Sequence, residues 1–255
     1  MTILVKSPFL VLVLSFTVMW LAARIGLFFR QRRETLDEDS YQDFSVVVAA
    51  TLTLLGLIIG FTFAMAMGRF DQRKGYEEAE ANAIGTEYVR ADLLPPADAA
   101  RERALLKEYL EQRILFYRSR DQHALQQINA RTAQLQSEMW SNVRALGGTQ
   151  PTPILALAIS GMNDVLNSQG YTQAAWWNRI PLSAWWLMWV VAFCSNLLVG
   201  YTSRRLKQEP VRMLTLPLVL AIALSFIADI DSPRLGLIRV VPENLISLAE
   251  SLNGH

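Results

Sequence analysis

The sequence predicts an all-α membrane protein, with four transmembrane helices and a long helical extramembrane region between the second and third. Three observations carry that expectation. Apolar residues make up 52% of the chain and are gathered into long runs, so the mean hydropathy is only +0.21 while parts of the chain are strongly apolar. The stretch Phe44–Met67, FSVVVAATLTLLGLIIGFTFAMAM, holds no charged residue and meets the roughly 20 apolar residues that a bilayer crossing needs. The segment after it is polar, yet its apolar residues recur at helical spacing.

The first span is expected over 8–29 and is closed by Arg30, Arg32 and Arg33. A cleaved signal peptide has a shorter apolar core and a small-residue cleavage site. Here the run is longer and Trp20 interrupts the plausible site, so a retained anchor is expected. The second span covers 44–67, and the two together form a first region, 1–67. The third, 181–201, begins with Trp185, Trp186 and Trp189 and is followed by Arg204, Arg205 and Lys207. The fourth, 211–228, contains Pro217, a kink that neighbouring helices can accommodate. These two make a region 180–228, and 229–255 is read as a C-terminal tail. Trp176, Trp177 and Tyr201 suit an interfacial aromatic belt.

The region 68–179 reads as helical almost throughout. Asp71 to Leu94 continues the second span until Pro95-Pro96. Asp98 is placed to cap the next helix, whose stripe is Leu106, Leu110, Ile114 and Tyr117. Leu125, Ile128, Leu135, Met139 and Leu146 mark another, stopped by Gly147-Gly148, and Thr152-Pro153 starts a last one that Gly170 ends. Core packing of a helical hairpin accounts for the stripes. A rigid continuation of the second span could also carry a pore, or a signal, beyond the bilayer.

Chemistry is bounded mainly by exclusion. The net charge is +1 and no basic arm or nucleic-acid motif occurs. The single cysteine, Cys194, lies in an apolar run and reads as a small buried hydrophobe. Of the two histidines, His123 sits in a charged helical segment and His255 is the final residue. No His-Glu-x-x-His pair, phosphate loop or nucleophile elbow is present, so neither an enzyme nor a cofactor is expected. Glu77, Glu78 and Glu80 follow Arg69, Arg73 and Lys74. The bland reading is a solvated surface with i,i+4 pairs such as Arg73–Glu77 and Lys74–Glu78. The alternative is a ring of charges, Arg69, Arg73, Lys74 and Glu77, at the mouth of an oligomeric axis. Asp229 and Asp231 end a helix or, as weak candidates, bind a cation; two carboxylates are few for calcium. The Lys and Arg residues that set orientation tie between the two sides: Arg30, Arg32, Arg33, Arg204, Arg205, Lys207 and Arg212 on one, Lys6, Arg69, Arg73, Lys74, Arg179, Arg234 and Arg239 on the other.

The second span has two faces of its own. Gly56, Gly60, Ala64 and Gly68 recur every four residues, which puts small residues on one line where another helix can approach closely. Such a helix is built to pack tightly against a neighbour.

The run Ile59-Gly60-Phe61-Thr62-Phe63-Ala64, followed by Arg69-Phe70, resembles the second transmembrane helix of bestrophin ion channels. There a Gly-Phe pair sits in the pore neck, and an arginine–aromatic pair follows at the same distance. GFTFAMAMGRFDQR, EAEANAIG and RADLLP resemble more closely still the bacterial bestrophin-like family. Asn163-Asp164, Arg179-Ile180-Pro181 and Ile227-Ala228-Asp229 resemble its later landmarks. The resemblance runs from about Phe44 to Val241.

It implies a homo-pentamer with four membrane segments per subunit, the second lining the axis, in the bacterial inner membrane with termini and the long region cytoplasmic. Carried over, the pore neck falls on Thr53, Leu57 and Phe61. These residues also repeat every four and lie about 100° around the helix from the glycine line. One stripe would face the axis while the other lets copies of the helix close around it, and an apolar neck would gate by dewetting. Thr53 is polar where the family neck is often aliphatic, and of the acidic calcium clasp of animal bestrophins only Asp229 and Asp231 have counterparts. Two functions lead at this point, and an enzyme, short of convergent His, Cys and carboxylate groups, is the least expected third. One is an oligomeric channel passing small ions. The other is a non-conducting scaffold or sensor that binds a partner on the Leu106–Leu146 helices.

Overall fold

The computed structural model describes residues 7–32, 38–149, 152–202 and 210–254. Lys6, Arg33, Arg204, Arg205, Lys207 and His255 lie outside the described residues. Every regular element among those described is helical: α1 (Pro8–Gln31), α2 (Glu38–Arg90), α3 (Pro96–Arg118), α4 (Gln122–Thr149), α5 (Pro153–Trp177), α6 (Leu182–Thr202), α7 (Pro210–Asp231) and α8 (Glu243–Asn253). The all-α expectation holds. Four helical stretches are long and apolar enough to cross a membrane, Pro8–Gln31, Gln42–Leu93, Pro153–Thr202 and Met213–Asp231. They contain the first three expected spans and all of the fourth but its first two residues.

The chain forms two compact units. The first comprises Met1–Arg69 and Arg179–Arg239, the second Phe70–Asn178 and Val240–His255. In the first, α1 packs on α6 and α7, and α6 on α7. Arg30 Nη1 donates to the Tyr201 carbonyl at 3.1 Å, and the Phe44 and Tyr201 rings lie 5.3 Å apart. Pro217 stands inside α7.

In the second unit α3 packs on α4 and α8, and α4 on α5. The core is built from Leu106, Leu110, Leu135, Met139, Val143 and Met162, all essentially without exposure. Phe116, Tyr117 and Trp176 stack edge to face, with centroids 5.1 to 5.6 Å apart, the arrangement that aromatic quadrupoles favour. Trp176 therefore belongs to this core and not to an interfacial belt, whereas Trp177 is exposed.

Several boundaries differ from expectation for local reasons. α3 starts at Pro96, since a proline at the first helical position loses no hydrogen bond. Asp98 falls inside the first turn and is not the cap. Thr152 does cap α5, accepting from the Leu155 amide at 3.1 Å. α5 passes through Gly170 to Trp177, because burial of Thr172, Ala175 and Trp176 outweighs the roughly 1 kcal/mol propensity cost of one glycine. The tail contributes α8, whose Leu245 enters the second unit's core. Cys194 is exposed on α6 rather than buried.

Candidate functional site

α2 is one unbroken helix, so each of its faces can be followed by register. Its buried residues are Leu55, Thr62 and Ala66, then Arg73, Glu77, Glu80, Ala81, Ile84 and Glu87. Apart from the adjacent Glu80 and Ala81, the intervals of three, four and seven define one inward face. The two stripes singled out from the sequence lie elsewhere. Thr53 is exposed, Leu57 is 54% exposed and Phe61 66%. Gly56, Gly60, Ala64 and Gly68 are also exposed, and a methyl added at any of the three glycines would meet nothing within 4 Å. The Thr53 hydroxyl donates to the Ala49 carbonyl at 2.9 Å, which commits its proton to the helix. Large apolar side chains and bare glycine backbone thus stand uncovered on a membrane helix whose other side is packed.

The charged residues after the span separate into different environments. Lys74 and Glu78 are exposed. Arg69 reaches Asp231 at 4.0 Å. Arg73 and Glu77 are each 1% exposed and Glu80 is fully buried, which corrects the solvated-surface expectation for this run. Arg73 and Glu77 face the interior of the second unit. Glu77 instead caps α8 from a distance: Oε1 accepts from the Leu245 amide at 3.0 Å and Oε2 from Asn244 Nδ2 at 2.7 Å. A carboxylate there satisfies otherwise unpaired amides and complements the positive end of the helix.

Glu80 pairs with the buried Arg113, and Thr172 Oγ1 donates to Glu80 Oε2 at 3.1 Å. The Tyr117 hydroxyl donates to the same oxygen at 3.4 Å. Burial, reinforced by the Glu80 charge, raises the Tyr117 phenol above its ordinary range. Burial works against the Arg113 cation, but Glu80 outweighs it and the guanidinium is held above its usual value.

Asp229 and Asp231 are used as structural acceptors. Asp229 takes the Leu237 and Ile238 amides at 2.7 and 2.8 Å, and Asp231 takes the Ile180 amide at 3.0 Å. Their oxygens accept from backbone N–H groups, which is the geometry of a loop clamp. Among the described residues no group of three or more His, Cys, Asp or Glu is arranged to hold a metal ion. His123 is exposed. Leu106, Leu110, Ile114, Tyr117, Leu135 and Met139 are core residues, so that stripe is not an open partner surface.

A family model described as "Bestrophin-like domain" matches residues 14–245. The chain belongs to the bestrophin-like family. Solved structures of a bacterial bestrophin homolog from Klebsiella pneumoniae share its fold. A tryptophan-to-alanine variant aligns at 13% identity over 95% of this chain and 94% of that one, TM-score 0.63. An aspartate-to-alanine variant aligns at 12% identity over 96% and 97%, TM-score 0.65. The structure phased on zinc gives 12%, 94% and 97%, TM-score 0.61. A search of curated protein sequences finds no match.

The buried network of this bestrophin-like chain escaped sequence reasoning. Glu80, Arg113, Glu87 and Glu102 are all buried, yet each lies in a segment that is polar on average. A signal was present: residues 73, 77, 80, 84 and 87 follow helical spacing, and Ile84 is the apolar member of that line.

Proposed function

We propose that this bestrophin-like protein is an oligomeric channel, a homo-pentamer, that passes small ions through a neck formed by α2. The observation that carries the reading is the pair of uncovered stripes on one membrane helix, Leu57 and Phe61 beside Gly56, Gly60 and Gly68. A single chain leaves both open, and neighbouring copies of α2 would use both. Glycine backbones allow close helix contact, and the adjacent Thr53, Leu57 and Phe61 would then border a common axis. Ringed apolar side chains of this size gate by dewetting.

Of the charges assigned to the mouth, Lys74 keeps an exposed position, and Arg69 lies 4.0 Å from Asp231. The same reading takes the chain to lie in the inner membrane of a bacterium, with termini and the long helical region cytoplasmic, and to serve conduction rather than catalysis. The test is current in planar bilayers. Leu57→Ala with Phe61→Ala should conduct more, or discriminate less among ions, than the unaltered protein. A scaffold would show no current in either form, and that result would end the channel reading.

A further inference from the structure

We propose that Glu87 and Glu102 form a buried proton-binding site that holds α2, α3 and α5 together while it is protonated. Neither residue serves the neck, and the proposal stands whether or not the chain conducts.

The geometry begins with burial. Both side chains have 0% exposure, and both lie in the second unit. Among the described residues, neither carboxyl oxygen of Glu87 has a hydrogen-bond partner, nor has Oε1 of Glu102. A buried carboxylate without donors is costly, and such a group gains a proton instead of remaining ionised. Glu102 Oε2 accepts from Asn142 Nδ2 of α4 at 2.7 Å, and the same amide reaches the Asp98 carbonyl at 3.4 Å. α5 is cut away to admit the site. A side chain at Gly161 would overlap the Glu87 carboxyl and the Arg90 guanidinium, and would lie 3.1 Å from Arg90 Cδ.

The surrounding charges do not neutralise the pair. From α2 itself Arg90 faces Glu87, but it is shared with Asp164 of α5 at 3.9 Å. From α3 comes Glu102, a like charge, and from α5 Asp164, another. Arg101, beside Glu102, is the neighbouring cation on α3, while Arg103 is committed to Asp92. Asn142 is the neutral donor from α4. Burial, partly opposed by Arg90, raises the Glu87 carboxyl to about 8, and burial raises Glu102 to about 7. Losing both protons would leave two like charges in a dry space between helices, and separation of those helices is the direct way to hydrate them.

The experiment is infrared titration of the full-length protein in lipid, following the C=O stretch of protonated carboxyl groups from pH 5 to 10. Exposed carboxyls are ionised above pH 6, so a band that persists at pH 6 and disappears by pH 9 reports this site. The expected result is that band, loss of its higher-pH component in Glu87→Gln, and a lower midpoint for that component in Glu102→Gln, because the like charge is gone. An amide mimics the neutral carboxyl in size, so both variants should fold. No band above pH 6 in the unaltered protein overturns the proposal without any variant, and so does a high-pH component that survives Glu87→Gln.

Discussion

Gly26 of α1 and Gly200 of α6 occupy opposite sides of one backbone-to-backbone contact. A methyl at Gly26 would lie 2.8 Å from the Tyr201 nitrogen and closer still to the Leu197 carbonyl; one at Gly200 would lie 2.8 Å from the Ala23 carbonyl carbon. Backbone cannot swing aside as a side-chain tip can. Small residues at such a crossing are what allow membrane helices to associate by packing alone. Gly200→Val should therefore force α1 and α6 apart and lower stability by about 1–3 kcal/mol, the range for overpacking. Gly170→Ala is the contrast. It has nothing within 4 Å, so it should raise stability by up to about 1 kcal/mol through helix propensity. Thermal unfolding of the two purified variants checks both directions.

The glycines of α2 behave differently because the single chain leaves space around them. Gly56→Leu and Gly60→Leu should leave the fold of each subunit intact, since no atom lies within 4 Å of either position. If copies of α2 close on this stripe, the same changes should shift the protein from oligomer to monomer. Native mass spectrometry with circular dichroism separates these effects. An unchanged oligomer in both variants would remove the stripe from the assembly.

The spans were legible because hydrophobicity alone decides them: 24, 21 and 22 residues form α1, α6 and α7, close to the expected runs. The stripes of α2 were legible as register, since period four is a property of sequence. What covers a stripe is not, and Glu77 shows why. Its neighbours Arg73 and Lys74 suggest local pairs, but two partners of Glu77, Asn244 and Leu245, lie 167 and 168 positions away. Helical periodicity reports that a face exists and says nothing of a tail that returns to it. Gly26 and Gly200 were missed for the same reason, as one glycine on each helix makes no repeat. Asp229 and Asp231 show the same limit, because in sequence two near carboxylates look alike whether they hold a cation or a row of amides.

The remote cap gives a third prediction. Glu77→Ala removes the acceptor for the Leu245 amide and for Asn244. Loss of a cap costs about 0.5–2 kcal/mol, and here the loss should fall on α8. Hydrogen exchange should rise over 243–253 and stay unchanged in α4. Lys74→Ala, at an exposed site on the same helix, should change stability by no more than about 0.5 kcal/mol.

Arg113 and Glu80 give a fourth. Both are fully buried, so removing one strands the other. Glu80→Gln or Arg113→Met alone should destabilise the second unit by about 3–5 kcal/mol. The double variant should recover much of that loss, because no uncompensated charge remains. Denaturant unfolding of the three variants forms a double-mutant cycle, and strict additivity would show that the two residues are not coupled.

The pH dependence of stability follows from Glu87 and Glu102. Their ordinary value of 4.5 applies to the unfolded chain, while burial raises them to about 8 and about 7 in the folded one. Between those limits the folded state holds more protons than the unfolded state, so stability must fall as pH rises. Their contribution is fully present below pH about 4.5 and is lost as pH passes through 7 and 8. While a group is titrating in this window, the slope approaches about 1.4 kcal/mol per pH unit for each. Denaturation midpoints for the second unit should decline from pH 5 to pH 8 and level off above it. Glu87→Gln should remove the part of the decline nearest pH 8 and spare the part contributed by Glu102, whereas a midpoint that climbs over this interval would mean that both carboxyls are ionised in the folded protein.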